Sequence, residues 1–241
     1  MSCGLLRRSS PTGDRPTSAT RTYTTSSPLP DRSSAGSTRL ATACSDRTGA
    51  FDDPLRQYRV LYAATPRAGC FAETLAAFRP SLASLAAERA VLNATEPPRS
   101  AHVPAAWWRN RLVGTFTLGS GRWLDLRALA TFQVLRDAFA ELAHSLGLAD
   151  VDLSAATGLI AIAGEERRFT QAVSRWAYER DYQGIVYSSR LHLRFTCWAV
   201  FESATIQRVG APETITPNDR DFVRIARSFS LRIEPDRPAA D

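Results

Sequence analysis

Four residues of this chain, each at a strand end, in a loop or at a helix start, could act together on one anionic, ribose-bearing ligand: Arg47, Tyr62, Glu73 and Ser189. Glu73 sits in AGCFAETLAAFRP, on the first turn or two of a predicted helix, between Phe71 and Leu75. Position alone accounts for an acid there, because a carboxylate near a helix N-terminus complements the macrodipole by about 0.3–1 kcal/mol. Its company points further. Tyr62 ends the preceding strand, the loop SDRTGAFDDP can present Arg47, and GIVYSSR brings Ser189 to the end of a distant strand. A guanidinium pairs bidentately with a pyrophosphate, and a tyrosine ring packs on a flat heterocycle. A carboxylate holds a ribose hydroxyl and stabilises an oxocarbenium-like transition state. A serine hydroxyl hydrogen-bonds the ligand.

The elements that must position these groups follow from pattern. YRVLYAA reads as a strand closed by the turn cluster TPRAG. The helix after it repeats apolar residues at Phe71, Leu75 and Phe78 and stops at Arg79-Pro80. Ser81 can cap a second helix running to about Asn93, with Leu82, Leu85 and Leu92 on one stripe. Beyond Pro97-Pro98 come a short helix in PAAWWRNR and a strand in LVGTFTL. The turn GSG and the segment RWLDL then predict a hairpin over 111–126. Residues 128–146 form the longest amphipathic helix, closed by Gly147. A helix near 168–181, the strands GIVYSS and CWAVFE, and a helix in NDRDFVRIARSFS complete the chain. The mixture lacks a regular βαβ rhythm, so the expected class is α+β with mainly antiparallel sheets and flanking helices. GSG lacks the third glycine of a dinucleotide fingerprint, and no P-loop is present.

Composition narrows the function classes. The 241 residues are 44% hydrophobic, enough for a sizeable core, and no apolar run reaches membrane-spanning length. Cys3, Cys44, Cys70 and Cys197 are scattered, and His102, His144 and His192 are isolated, so neither a metal set nor a disulfide framework is expected. Ser188 and Ser189 have no His and Asp at triad spacing. A reduced cytoplasm is the expected compartment. The formal charge is +6, yet every basic residue is Arg, and six Arg against two Asp fall within residues 1–40. That distribution argues against a folded nucleic-acid-binding surface. Residues 1–37 are rich in Ser, Thr, Arg and Pro without an apolar period, and are expected to be a disordered, dispensable tail ahead of one domain over 38–235.

With these pieces in order, TGAFDDPLRQYRVLYAA, then AGCFAETLAAFRP, then YQGIVYSSR followed by WAVFE, the chain resembles the RES-domain family, named for an Arg, a Glu and a Ser and best known as toxins of bacterial toxin–antitoxin pairs. The resemblance implies a compact α+β fold similar to ADP-ribosyltransferases. It also implies NAD as a substrate rather than a recycled cofactor, cleaved at the nicotinamide–ribose bond by hydrolysis or phosphorolysis, or used to ADP-ribosylate a protein. No metal is implied. Glu73 matches the family Glu, Tyr62 the strand-end Tyr and Ser189 the Ser preceding Arg190. Where many members read G-R-F or G-R-W, this chain has Gly49-Ala50-Phe51, and Ala41-Thr42 stands where an aromatic–Arg pair is common. Arg47, then Arg39, are the nearest replacements. Either they bind the pyrophosphate from a shifted position, or the protein is a catalytically silent module that binds a partner. The implied partner is an Xre-type helix-turn-helix antitoxin.

Overall fold

A computed structural model describes residues 49–91, 101–148, 151 and 164–235, together with the backbone of 7–8 and 21–28. In chain order the elements are β1 (Arg7–Arg8), β2 (Arg21–Pro28), β3 (Val60–Thr65), α1 (Ala68–Leu75) with a 3-10 turn (Ala76–Phe78), α2 (Leu82–Val91), β4 (His102–Val103), α3 (Ala105–Arg109), β5 (Arg111–Leu118), β6 (Leu124–Asp125), α4 (Leu129–Ser145), α5 (Gly164–Tyr178), β7 (Gly184–Ser188), β8 (Thr196–Phe201), β9 (Ile206–Arg208), β10 (Glu213–Thr214), α6 (Arg220–Ser228) and β11 (Arg232–Ile233). The class is α+β, as the pattern predicts. The main sheet runs β10-β5-β2-β3-β8-β7-β6, with β1 on β2 and β9 on β5, and β4 pairs with β11 in a small second sheet.

Every ladder of the main sheet is antiparallel except β6 on β7. That exception corrects the hairpin expected over 111–126. The strand after GSG does not return along β5: Leu124 pairs with Ile185 in parallel, and Gln183 N donates to Arg122 O at 2.8 Å. Gly119 N donates instead to Thr205 O at 2.9 Å, which steers the chain away from its own strand. The segment expected to lack structure also differs in part. RTYTTSSP, residues 21–28, is a strand, paired residue for residue with 111–118 and touching β3 at Thr24 and Ala64. Thr and Tyr are good strand formers without an apolar alternation, so the ladder itself is what the sequence pattern does not announce. Arg7 and Arg8 pair with the first two residues of this strand, and the remainder of 1–37 lies outside the described residues.

Side-chain alternation along the central strands builds a core on each face. Ile185, Ala199 and Phe201 pack with Leu135 and Phe139 of α4 and Phe169, Val173 and Ala177 of α5. Ala63, Val186, Trp198 and Val200 pack with Phe116 and Leu118 on the other face. A third cluster joins Phe71 and Leu75 of α1 to Phe222 and Ile225 of α6 and to Trp108. Helix α2 departs from its predicted stripe, because Leu82 is exposed; its cap is as expected, with Ser84 N donating to Ser81 Oγ at 3.0 Å.

The start of α1 is tied to α6 by ion pairs of Arg67, the shortest to Asp219, with Asp221 at 3.6 Å. Arg67 donates to both oxygens of Asp219, at 2.8 and 2.6 Å, while Asp219 Oδ1 also accepts from Asp221 N and Phe222 N as the cap of α6. Burial works to raise the Asp219 carboxyl, but Arg67 and the two amides outweigh it and hold it below the usual Asp range. A depressed carboxyl stabilises the fold above its unfolded value and loses that contribution as pH falls through its folded value. Asp219→Asn should therefore cost about 1.5–3 kcal/mol at neutral pH, the range for hydrogen bonds to charged groups. Thermal scans against pH should show the loss of stability in acid flattened in the variant. Unchanged midpoints at neutral pH would mean that the pair is dispensable.

Candidate active site

Helix α1 is buried around most of its circumference: Ala68, Gly69, Cys70, Phe71, Ala72 and Leu75 are all enclosed. Gly69 permits this, since a Cβ there would meet Ala64 Cβ of β3 at 2.9 Å. The helix presses against the sheet and carries Glu73 with it. Glu73 Oε1 accepts from Ser189 Oγ at 2.5 Å and lies 3.7 Å from Cys197 Sγ, a buried thiol of β8. Ser189 Oγ in turn accepts from Leu191 N at 3.0 Å, so its one proton is committed to Glu73 while one lone pair is taken by the amide. Among the described residues, Oε2 has no partner. Burial raises the Glu73 carboxyl above the usual glutamate range, opposed in order by the Ser189 hydrogen bond, the charge of Arg190 and the Cys197 thiol.

Tyr62 shares this face of the sheet. It stands opposite Ala199, while Ala64, two residues on, stands opposite Cys197, and two residues along a strand span roughly 7 Å. Its hydroxyl braces the loop that holds Phe51: Tyr62 Oη donates to Asp52 Oδ1 at 2.8 Å and accepts from Phe51 N at 2.9 Å. Asp52 Oδ2 accepts from Gly49 N at 2.5 Å. A side chain at Gly49 would collide with Tyr62, at 2.4 Å from its hydroxyl and 2.7 Å from its ring. Burial and then the Asp52 charge push the Tyr62 phenol well up, so it stays neutral and able to donate.

Helix α5 docks the same loop from its other side. Thr170 Oγ1 donates to Ala50 O at 2.6 Å and Ser174 Oγ to Phe51 O at 2.6 Å, and Arg175 pairs with the buried Asp53 carboxylate at 2.6 Å. These three side chains lie within one and a half helical turns and meet Ala50, Phe51 and Asp53 of the loop. The Phe51 ring then packs 5.0 Å from the Tyr187 ring, and Tyr187 lies against Ala64, Cys70 and Cys197. The loop and Glu73 thus border one stretch of sheet.

The predicted site residues fare differently. Glu73 and Ser189 meet directly across 116 positions of sequence, and Tyr62 is on the same face. The Ser189 hydroxyl holds Glu73 and a backbone amide. Arg47 and Arg39 lie outside the described residues. Sequence reasoning missed Asp52 and Cys197. GAFDDP reads as a turn without showing which carboxylate faces the strand, and the alternation of CWAVFE offers no sign that its first residue meets an acid.

This juxtaposition is accompanied by a match of the RES domain profile to residues 29–222. The chain belongs to the RES domain family. No curated protein and no solved structure gives a significant match. RES domains are associated with NAD-related chemistry. Among the described residues no helix is long and apolar enough to cross a membrane.

The raised carboxyl carries a consequence for stability. A group whose folded value lies above its unfolded value stabilises the fold when protonated and loses that contribution as pH rises through the folded value. Ionised Glu73 is therefore a cost at neutral pH. Gln keeps an oxygen for Ser189 and Cys197 without the charge, so Glu73→Gln should raise the thermal midpoint at neutral pH by about 2–4 °C, the equivalent of roughly 1 kcal/mol in a chain of this size. The gap from wild type should close as the pH is lowered. A variant that melts lower at neutral pH would show that the charge is no burden.

Proposed function

We propose that this RES domain consumes NAD by cleaving the nicotinamide–ribose bond, as a glycohydrolase or phosphorylase, and serves as the toxin of a toxin–antitoxin pair. The observation that carries the reading is the Glu73 carboxyl: desolvated, fixed at Oε1 by Ser189, and without a partner at Oε2 among the described residues. When the C1′–N bond of NAD breaks, the bonding electrons leave on nicotinamide, which becomes neutral, and positive charge moves onto the ribose. A carboxylate beside that carbon stabilises charge that exists mainly in the transition state. Low surrounding polarity strengthens the attraction. Tyr62 is proposed to flank the nicotinamide end and Arg47 to neutralise the pyrophosphate, with Ser189 orienting the catalytic acid. Water or phosphate then attacks C1′; a protein side chain in that place would make the same site a protein ADP-ribosyltransferase.

A second reading rests on the loop. Ala50, where many family members carry arginine, packs against the core under α5, so that guanidinium is missing from its usual place. On this reading the fold binds a partner, such as an Xre-type protein, without catalysis. Release of nicotinamide from NAD by the purified chain separates the two. In an active protein, Glu73→Gln should lower turnover by about 10²–10³, the usual range for losing an electrostatic transition-state contact, with a much smaller change in NAD affinity. Arg47→Ala should weaken NAD binding at least as much as turnover, because the pyrophosphate charge is present before and after cleavage. Near-normal nicotinamide release by Glu73→Gln would remove the carboxylate from the mechanism.

A further inference from the structure

Two donors converge on the same oxygen of Glu73. Ser189 Oγ approaches Oε1 at 2.5 Å and Cys197 Sγ lies 3.7 Å from it, within reach of an S–H donor. They arrive from different elements: Ser189 follows β7, and Cys197 is the second residue of β8. Cys197 is paired with Ala64 on one side and Tyr187 on the other, so two ladders fix the direction of its side chain. One donor leaves a carboxylate able to swing about its terminal torsion, which is broad for Glu. A second, from another direction onto the same oxygen, fixes the plane of the group and thereby where Oε2 points.

We propose that Cys197 is a positioning residue, which with Ser189 holds Oε1 so that Oε2 is the oxygen presented to the ligand. The ligand side of this proposal rests on the NAD reading above. The choice of a thiol fits two demands at once. Cys197 sits in an apolar cluster with Ala64 and Cys70, where a hydroxyl would be costlier to desolvate. A thiol is also a weak donor, so it orients the carboxylate while withdrawing little of the negative charge that must meet the ribosyl cation.

The test uses Cys197→Val, which removes the donor, Cys197→Ala as a smaller replacement in case Val strains the strand, and Cys197→Ser, which restores a donor. Without the donor the charged form of Glu73 loses support, so its carboxyl titrates higher. The acid limb of the pH profile for nicotinamide release should move up by about half a pH unit, the scale expected of a weak hydrogen bond to the charged form. Turnover should fall several-fold with KM nearly constant, and Cys197→Ser should return the limb to the wild-type position or below it. A purely structural role would lower the melting temperature and leave the limb in place. Carbon NMR of labelled glutamate follows the Glu73 carboxyl without any need for catalysis. If wild type releases no nicotinamide, the NAD reading falls, and the NMR titration still decides about Cys197. A Glu73 midpoint unmoved in both Val and Ala variants overturns the proposal.

Discussion

Strand β8 is enclosed on both faces and paired on both edges, and the site depends on that constraint. From Cys197 to Phe201 every residue is buried. Odd-numbered positions face α4, α5 and α1, and even-numbered positions face the cluster around Trp198. A slip of one residue would exchange the two sets, moving Trp198 into the space of Cys197 and the thiol away from Glu73. Because β3 and β7 flank β8, the same register sets the level of Tyr62 and the end of β7, where Ser189 emerges. Ser189 and Cys197 are thereby aligned with Tyr62, far earlier in the sequence, by one hydrogen-bond pattern.

The loop at 49–53 is stabilised by polar contacts where the sheet is stabilised by apolar ones. Burying the Asp53 carboxylate would be costly if it stood alone. It accepts from Leu55 N, Gln57 N and Arg175, which together outweigh the upward effect of burial and keep it below the usual Asp range. Tyr58 extends the network, donating to Ser174 Oγ at 2.9 Å, and Ser174 passes a hydrogen bond on to Phe51 O. Such a network gives less net stability than an apolar contact of the same area, but it specifies a single loop conformation. The loop's sequence therefore matters through its carboxylates, and Asp52 and Asp53 divide the work between strand β3 and helix α5.

Much of this was legible in the sequence where an element carries its own signal. β3, α1, α4, β7 and β8 stand close to their predicted places, since each has a clear period or a turn cluster at its end. The meeting of Glu73 with Ser189 was anticipated from their places at a helix start and a strand end together with the order of family-like pieces. What stayed illegible is pairing. GSG has the composition of a hairpin turn, yet β6 joins β7 because the hydrogen-bonding partners for 124–125 are supplied by residues 185–186. RTYTTSSP has no apolar alternation, and its ladder with β5 is a property of β5 as much as of itself. Cys197 was invisible for the same reason: its importance is set by the residue across space.

The position of Glu73 combines two effects of one environment. Enclosure by α1 and β8 makes the charged carboxylate expensive, and the same low polarity makes its field at a neighbouring carbon stronger than in water. A fully satisfied carboxylate, with donors on both oxygens, would be cheaper to bury but would have less charge to offer. An unsupported one would take up a proton more readily. Among the described residues the donors meet one oxygen only, one strong and one weak, and this lies between the two limits. The arrangement requires that the donors come from strands fixed by their neighbours, because a mobile donor would follow the carboxylate instead of holding it. That is why the acid rides on a buried helix while its two partners sit at the end and near the start of adjacent strands.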